Sequence, residues 1–341
     1  MTKIVETSYK VRKEPLRTIF STSLRTVNEL SVLEFHIKTD DGVEVFGETV
    51  ETPAITGDTT ALIQSDFDCG LSNALIGREF EEAANFYRTH IAPVRATNSA
   101  KSAVDLALYE LQAVVSGKSL QEILGCVVTR VKSDVTIPLS GISDIPALLA
   151  ARTEFSTFKI KLGSEDMKTR VNKIQLIRDI AGTEVEIRVD PNQAWTVDES
   201  VTFLEQTERL GLEIEYLEQP IAATNKIGLA QIRQKCNTKI MADEALHTIA
   251  DLELLHELKS IDLINIKLLK SGGITPALEI VARAKELEVD FSIGTMMEGD
   301  KSVLAAILIA GAHREYYCHD LDAPWWASNT RFRYAKSMVA I

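Results

Sequence analysis

Several features are scarce or absent in this sequence, and each absence excludes a class of protein. There is no apolar run of about 18 residues, so no membrane-spanning helix is expected. Lysine and arginine number 37 against 49 aspartates and glutamates, a net charge of −12 with no basic cluster, which argues against nucleic acid as a partner. The N-terminal stretch has no apolar secretory segment, so we expect a cytoplasmic protein.

Cysteine is also in short supply. The four cysteines, Cys69, Cys126, Cys236 and Cys318, are scattered and show no CxxC spacing. Such a set predicts neither a disulfide framework nor a zinc site, and it fits a reducing compartment. Each of the four is expected to be a small buried residue.

The first part of the chain predicts a small α+β domain. Alternation typical of antiparallel strands occurs at 4–11, 31–37 and 43–50. From about residue 59 the spacing of apolar residues becomes helical, with stretches at 60–72, 79–92 and 98–116. We assign residues 1–125 to a capping domain with two loops, at 20–27 and 53–58, as specificity loops.

From about residue 134 the pattern alternates regularly between strand and helix. Apolar strands are expected at 135–141, 157–162, 184–190, 214–218, 239–243, 263–268, 290–296 and 315–320. Eight such units predict an α/β fold with a parallel (β/α)8-type barrel. An open doubly wound sheet is the alternative, but no glycine-rich phosphate loop follows the first strand. We assign residues 126–322 to the barrel and 323–341 to a short C-terminal tail.

Three of these strands deliver a carboxylate at their carboxyl ends. Asp190, Glu218 and Asp243 stand 28 and 25 residues apart, about one strand plus one helix each. The carboxyl ends of barrel strands face one pocket, so three acids there would repel one another unless a cation lies between them. Oxygen ligands suit a hard divalent cation, and we expect one Mg²⁺ per subunit with Mn²⁺ as a substitute.

Lysines and other polar residues occupy the same end of the barrel. Lys159 and Lys161 lie two apart on the second strand, and Lys267 lies on the sixth, across the ring. Two amines on opposite sides of a carbon suit removal of a proton from one face and its return to the other, so we assign catalysis to Lys161 and Lys267. Cations such as Lys159 are expected to lower the pKa of the general base Lys161 to roughly 7–8. His319 should point away from this pocket. Further substrate contacts are expected from Thr136, Lys159, Asn192, Thr295, Met297, Asp320 and Asp322.

The order of these residues resembles that of a known family. The stretches KIK, VDPNQ, EYLEQP, MADE and INIKLLKSGG are similar to those of the muconate-lactonising-enzyme subgroup of the enolase superfamily. Within it, the pair Asp320 and Asp322 resembles that of the dipeptide epimerases of the L-Ala-D/L-Glu epimerase type, where it holds the substrate ammonium group. The loop around Arg25 is similar to that of epimerases acting on Ala-Glu, which implies a contact with the side-chain carboxylate of glutamate.

The resemblance implies a Mg²⁺-dependent isomerase that inverts the α-carbon of the C-terminal residue of L-Ala-L-Glu-type dipeptides through an enediolate. A cycloisomerase, an o-succinylbenzoate-synthase-like lyase or an N-acyl amino acid racemase of the same subgroup is the alternative. A Schiff-base aldolase using Lys161 or Lys267, and a barrel that only binds peptides, are further hypotheses. The expected partner is a small dipeptide, and the sequence leaves a homo-oligomer open.

Overall fold

The computed structural model describes residues 2–93, 96–314 and 317–341. Its N-terminal part begins with three strands, β1 (Ile4–Ser21), β2 (Thr26–Thr39) and β3 (Glu44–Val50). They form an antiparallel sheet in the order β1-β2-β3. The three strands predicted for this part of the chain are therefore confirmed.

The first strand is much longer than predicted. Beyond residue 11 it continues from Arg12 to Ser21 along β2. The turn itself contains only residues 22–25 and is closed by a hydrogen bond from the Thr22 amide to the Arg25 carbonyl (2.9 Å). The region predicted as a polar loop at 20–27 is thus the tip of a long hairpin. Most side chains of β1 are exposed or half-buried, so pairing with β2, and not an apolar alternation, keeps this segment extended.

Helices cover one face of the capping sheet. They are α1 (Thr60–Asp66), α2 (Ser72–Leu75), α3 (Phe80–Phe86), α4 (Asn98–Ser116) and α5 (Leu120–Ile123), with π-helical turns after α1 and α3. Packing of α4 on β3 requires Gly47, because a Cβ atom there would lie 2.0 Å from the Ala103 carbonyl oxygen. Between sheet and helices lies an apolar core that includes Leu33, Phe35 and Phe67. The predicted α+β cap is confirmed.

The second part alternates strands and helices. After β4 (Arg130–Lys132), its strands are β5 (Val135–Ile137), β6 (Thr157–Lys161), β7 (Glu186–Asp190), β8 (Ile214–Glu218), β9 (Lys239–Ala242), β10 (Leu263–Lys267) and β11 (Asp290–Gly294). Its helices are α6 (Ile145–Ala150), α7 (Met167–Ala181), α8 (Val197–Arg209), α9 (Lys226–Lys235), α10 (Ile249–Glu257), α11 (Leu268–Ser271), α12 (Ile274–Glu286) and α13 (Asp300–His313). The strands β5 to β11 form one parallel sheet in sequence order.

This sheet closes into a barrel through an eighth segment. The strand predicted at 315–320 includes residues 315 and 316, which lie outside the described residues. Beside them, the His319 amide donates to the Lys132 carbonyl and the Asp134 amide to the His319 carbonyl (2.9 Å each). On the other side the Thr295 amide donates to the Asp320 carbonyl (2.9 Å). The predicted (β/α)8-type barrel is therefore confirmed, with His319 bridging to Ser133, just before β5, and Asp320 bridging to Gly294 of β11.

The C-terminal tail packs on both parts of the molecule. It contains α14 (Ala323–Trp326), β12 (Tyr334–Ala335) and β13 (Met338–Ala340), and β13 pairs with β4. The Ser328 amide also donates to the Pro15 carbonyl of the long hairpin (3.1 Å). The tail therefore connects the barrel to the capping sheet. The domain boundaries after residues 125 and 322 stay a prediction.

Cysteine burial differs from the expectation. Cys126 and Cys318 are buried, but Cys69 is exposed and Cys236 is half-buried. Cys69 lies in the π-helical turn Phe67–Leu71, whose buried positions are taken by its two end residues.

As for membranes, the described helices include none with the length and apolarity needed to span one.

Candidate active site

Three carboxylates meet at the carboxyl ends of adjacent barrel strands. Asp190 ends β7, Glu218 ends β8 and Asp243 directly follows β9. One oxygen atom from each lies within 4.8 Å of the other two, and all three side chains are buried. Parallel strands bring their ends to one edge of the sheet, so the regular spacing in the sequence places the acids together, as predicted.

The buried acids have the properties of a cation site. Burial, together with Asp190 and Asp243, raises the pKa of Glu218 to about 7, against the opposing charge of Lys159. The Glu218 Oε2 atom lies 2.8 Å from Lys159 Nζ but accepts no hydrogen bond of suitable geometry from the described residues. A divalent cation would supply the missing partner, and a set of carboxylate oxygens fits Mg²⁺.

The two lysines assigned to catalysis stand on either side of these acids. Lys161 Nζ lies 2.5 Å from Asp190 Oδ2, and Lys267 Nζ lies 2.8 Å from Asp243 Oδ2. The strands that carry them, β6 and β10, are separated by three strands in the sheet. Both side chains line one cavity, so they can approach a substrate carbon from opposite sides.

Carboxylates dominate the electrostatic surroundings of Lys159 and Lys267. The expectation that Lys159 lowers the pKa of Lys161 stays a prediction. Burial alone would lower the pKa of Lys267, but Asp243 outweighs it and the pKa is raised. Lys159 is also fully buried, yet its hydrogen bonds to Asp320 (2.9 Å) and Glu218 (2.8 Å) raise its pKa well above the ordinary value. Around these two amines carboxylates dominate, because the neighbouring strands deliver their acids to the same edge of the sheet.

Asp320 lies in the same network of charges. Its Oδ2 atom accepts hydrogen bonds from Lys159 (2.9 Å) and from the side chain of Asn265 (3.1 Å), and it lies 3.6 Å from Lys267 Nζ. Burial opposes its charge, but the nearby lysines lower its pKa. The carboxylate is therefore ionised and faces the cavity.

Asp322 reaches the cavity through a different set of contacts. Its Oδ2 atom accepts hydrogen bonds from the Thr136 amide (2.7 Å) and from the indole N–H of Trp326 (3.0 Å). Burial and the neighbouring charge of Asp320 raise the pKa of Asp322, while the two donors oppose this. Two buried carboxylates that line one cavity favour a cation bound there.

Arg25 reaches the cavity from the tip of the capping hairpin. Burial lowers the pKa of its guanidinium, while Glu51 and Glu298 act in the opposite direction. In the described part of the chain its guanidinium forms no ion pair or hydrogen bond. A half-buried guanidinium without a protein partner suits a carboxylate supplied by a ligand.

The hairpin tip is held to the barrel. The Ser23 hydroxyl lies 2.8 Å from the Pro191 carbonyl oxygen and 3.2 Å from that of Leu162. Phe20 and Ile55 line the cap side of the cavity, whose volume is about 40 Å³. Both predicted specificity loops therefore contribute to its walls.

The remaining predicted residues also lie where expected. The cavity wall includes Thr136, Lys159, Asn192, Thr295 and Met297. His319 points away from it, as predicted. Its Nδ1 atom accepts from the Ile293 amide and its Nε2 atom donates to the Arg314 carbonyl (3.0 Å each). That residue therefore joins barrel segments and takes no part in the cavity.

Asn265 is a site residue that the sequence analysis missed. Its side-chain amide donates to Glu218 Oε1 and to Asp320 Oδ2 (3.1 Å each). It lies two residues before Lys267 on β10, so strand alternation puts both on one face of the strand. That alternation was the signal that could have identified it.

Two more residues around Asp243 were also missed. Lys270 donates to Asp243 Oδ1 (2.5 Å) and to the Asn265 carbonyl (3.0 Å), and it is fully buried. Glu244 accepts from the side chain of Asn192 (3.3 Å), and burial raises its pKa to about 8. Lys270 lies on the short helix α11, where strand alternation carries no signal, whereas Glu244 was visible as the second acid of MADE.

Known families match both parts of this chain. Residues 4–125 match the N-terminal domain of mandelate racemase / muconate lactonizing enzyme. Residues 145–339 match the enolase C-terminal domain-like family. The chain belongs to the enolase superfamily. The resemblance carried by the stretches KIK, VDPNQ and EYLEQP is therefore confirmed.

Several relatives cover this enolase-superfamily chain almost from end to end. An L-Ala-D/L-Glu epimerase from Clostridium acetobutylicum is 34% identical over 312 residues, which are 91% of this chain and 87% of that protein. The substrate-liganded structure of the L-Ala-D/L-Glu epimerase from Bacillus subtilis matches with a TM-score of 0.92 and 32% identity, covering 99% and 96% of the two chains. A dipeptide epimerase from Enterococcus faecalis, complexed with Mg and L-Leu-L-Tyr, matches with a TM-score of 0.90 and 26% identity, covering 99% and 97%.

Proposed function

We propose that this enolase-superfamily enzyme is a Mg²⁺-dependent epimerase of dipeptides of the L-Ala-L-Glu type. It inverts the α-carbon of the C-terminal residue by 1,1-proton transfer. The observation that carries the proposal is the position of Lys161 and Lys267 on opposite sides of one buried acid triad. The similarity to proteins named L-Ala-D/L-Glu epimerase supports it over nearly the whole chain.

Asp190, Glu218 and Asp243 would hold the metal ion. When bound, Mg²⁺ would supply positive charge near the substrate carboxylate, which favours loss of the proton from the adjacent α-carbon. The Enterococcus faecalis relative was solved with Mg, which supports this choice of ion. Mn²⁺ carries the same charge and accepts the same oxygen ligands, so it would substitute.

The two lysines carry out the proton transfer. The neutral amine of one removes the α-proton from its face of the carbon, which leaves an enediolate and an ammonium group on that lysine. The ammonium group of the other lysine then donates a proton to the opposite face and becomes neutral. The configuration is inverted, and the protonation states of Lys161 and Lys267 are exchanged.

The charged groups of the dipeptide would each meet protein side chains of the opposite charge. Asp320 and Asp322 would bind the ammonium group of the N-terminal residue, because both are buried carboxylates that face the cavity. Arg25 would bind the side-chain carboxylate of glutamate, because its guanidinium lines the cavity without an ion pair among the described residues. These two contacts are expected to set the preference for a free N-terminus and an acidic second residue.

Proton NMR of L-Ala-L-Glu in D₂O tests the proposal. With enzyme and Mg²⁺, the glutamate α-proton signal should disappear while signals of L-Ala-D-Glu grow. A sample treated with EDTA and a variant carrying both Lys161→Ala and Lys267→Ala should show neither change. Absence of exchange with this and related dipeptides would overturn the proposed function.

A cycloisomerase or lyase of the same family is the alternative, and it would not need an ammonium pocket. Changing Asp320 and Asp322 together to Asn distinguishes the two. Dipeptide turnover should be abolished in this variant, and unchanged turnover would contradict the pocket. A Schiff-base aldolase would keep its activity in EDTA. A cytoplasmic location and a homo-oligomeric assembly stay predictions.

A further inference from the structure

The tail places a tryptophan directly behind the proposed ammonium pocket. Trp326 is 1% exposed, and its indole N–H donates to Asp322 Oδ2 (3.0 Å). Asp322 precedes the single-turn helix α14 and Trp326 ends it. Residues four apart lie on the same side of a helix, so this turn brings the indole under the carboxylate.

Both N–H donors to this carboxylate converge on one oxygen atom. Within the described structure, Asp322 Oδ2 accepts from the Thr136 amide (2.7 Å) and from Trp326 (3.0 Å), and the Thr136 hydroxyl is a further donor to the same carboxylate. A carboxylate has about four acceptor positions, so these donors fix its orientation and still leave a position for a ligand in the cavity that it lines. The donors also favour the ionised form against burial and the charge of Asp320.

The indole itself is held by rigid neighbours. Its ring packs edge-on against Phe20, with the ring centres 4.9 Å apart, and Phe20 lines the cavity. The guanidinium of Arg152 lies 5.1 Å from the centre of the same ring. Arg152 Nε also donates to the Thr136 carbonyl (3.1 Å). The two donors to Asp322 therefore belong to one packed unit.

From this geometry we infer that Trp326 is a positioning residue for recognition of the substrate ammonium group. Its N–H holds Asp322 so that the carboxylate can accept a hydrogen bond from that group. The inference rests on the proposed function, because it requires a substrate with a free N-terminus. It assigns to the tail residue a role in ground-state binding and none in proton transfer.

The test compares Trp326→Phe with Trp325→Phe. Trp325 is the matched control, because its ring packs on Trp326 (5.0 Å) and under Arg152 (4.2 Å) while its N–H reaches no carboxylate among the described residues. Two ligands are compared: L-Ala-L-Glu as substrate, and propionyl-L-Glu, which has hydrogen in place of the ammonium group, as inhibitor. The measured quantities are KM, kcat and the inhibition constant.

Trp326→Phe should raise KM for L-Ala-L-Glu by about tenfold to a hundredfold, the range of a hydrogen bond to a charged group. Both kcat and the inhibition constant of propionyl-L-Glu should change by less than about threefold, because neither depends on the ammonium contact. Trp325→Phe should leave all three values within the same limit. If Trp326→Phe disturbs folding, benzothienylalanine at position 326 replaces it in the test. This analogue keeps the shape of tryptophan and lacks the N–H, so it should raise KM for L-Ala-L-Glu by the same factor.

Equal weakening of both ligands by Trp326→Phe and by the benzothienyl analogue would overturn the inference, since it would indicate packing alone. An unchanged KM would overturn it as well. These failures differ from failure of the proposed function, in which the unmodified enzyme would epimerise no dipeptide. If the unmodified enzyme is active and binds L-Ala-L-Glu no better than propionyl-L-Glu, the ammonium pocket itself is wrong.

Discussion

At the scale of single residues, Lys161 and Lys267 provide the most direct test of a two-base reaction. Each change to Ala should lower kcat for epimerisation by about a thousandfold, within the usual range for loss of a general acid or base. Each variant should still exchange the α-proton of one epimer, because the base on the other face remains. NMR in D₂O, started separately from L-Ala-L-Glu and from L-Ala-D-Glu, measures this.

The control for the lysine variants is Lys168→Ala, because that lysine is exposed on α7 and outside the cavity. It should match the unmodified enzyme. If either Lys161→Ala or Lys267→Ala exchanged both epimers at equal rates, that lysine would not be a base.

Arg25 carries a prediction about substrate choice. Arg25→Gln should lower kcat/KM for L-Ala-L-Glu by about tenfold to a hundredfold, because a charged hydrogen bond to the substrate is lost. The value for L-Ala-L-Gln should stay within about threefold, since that substrate has no side-chain charge. Steady-state kinetics with both dipeptides measures the difference. Arg17→Gln is the control, because Arg17 donates to the Ala327 carbonyl (2.8 Å) and lies outside the cavity wall. Equal losses of kcat/KM with both dipeptides in Arg25→Gln would refute the role of Arg25.

At the scale of elements, the hairpin of β1 and β2 depends on Ser23 for its contact with the barrel. Ser23→Ala removes the hydrogen bonds to Pro191 and Leu162. Loss of these neutral hydrogen bonds should loosen the attachment of the hairpin tip to the barrel and lower kcat/KM by about threefold to tenfold. Ser21→Ala is the control, because its bond to Thr26 (3.1 Å) lies within the hairpin. Equal kinetic effects of the two changes would show that the barrel contact is unimportant.

The segment that closes the barrel carries a prediction about acid stability. Burial lowers the pKa of His319 from 6.5 to about 3, so the folded protein keeps it neutral while the unfolded chain protonates it. Its stabilising contribution is therefore complete above pH 6.5 and is lost as the pH falls from about 6.5 towards 3. Between about pH 7 and pH 5.5, the protein should lose about 1 kcal/mol more unfolding free energy than His319→Gln.

Denaturant unfolding at the two pH values measures this difference. Glutamine can accept from the Ile293 amide and donate to the Arg314 carbonyl without titrating. Equal losses in both proteins would mean that His319 does not titrate between folded and unfolded states.

At the scale of the whole molecule, metal binding should be linked to stability. The three acids come from three strands and meet only in the folded barrel. Mg²⁺ at about a hundred times its dissociation constant should therefore add about 2.7 kcal/mol to the unfolding free energy and raise the thermal midpoint. Calorimetry with and without EDTA measures it. Glu218→Gln should lose most of this Mg²⁺-dependent shift. Glu81→Gln should keep it, because Glu81 is exposed on α3. An equal shift in both variants would place the metal elsewhere.

Much of the site could be predicted because a barrel turns sequence spacing into position. Asp190, Glu218 and Asp243 recur once per strand and helix, so their meeting follows from topology. Asn265 obeyed the same rule and could have been found beside Lys267. Contacts between distant segments could not be predicted in this way, because nothing in the residues of β1 themselves indicates that the strand extends to residue 21.

The linear order of residues was sufficient for the barrel, its cap, the acid triad and the opposed lysines, since alternation and repeat length are local properties. Three-dimensional packing was needed for the direction of the Lys267 pKa shift, because the carboxylates that raise this pKa come from other strands. It was needed equally for Trp326, whose effect on Asp322 depends on one helical turn and on Phe20 from the cap. Periodicity can be read along a chain, whereas an electrostatic environment is a sum over neighbours that only the folded structure assembles.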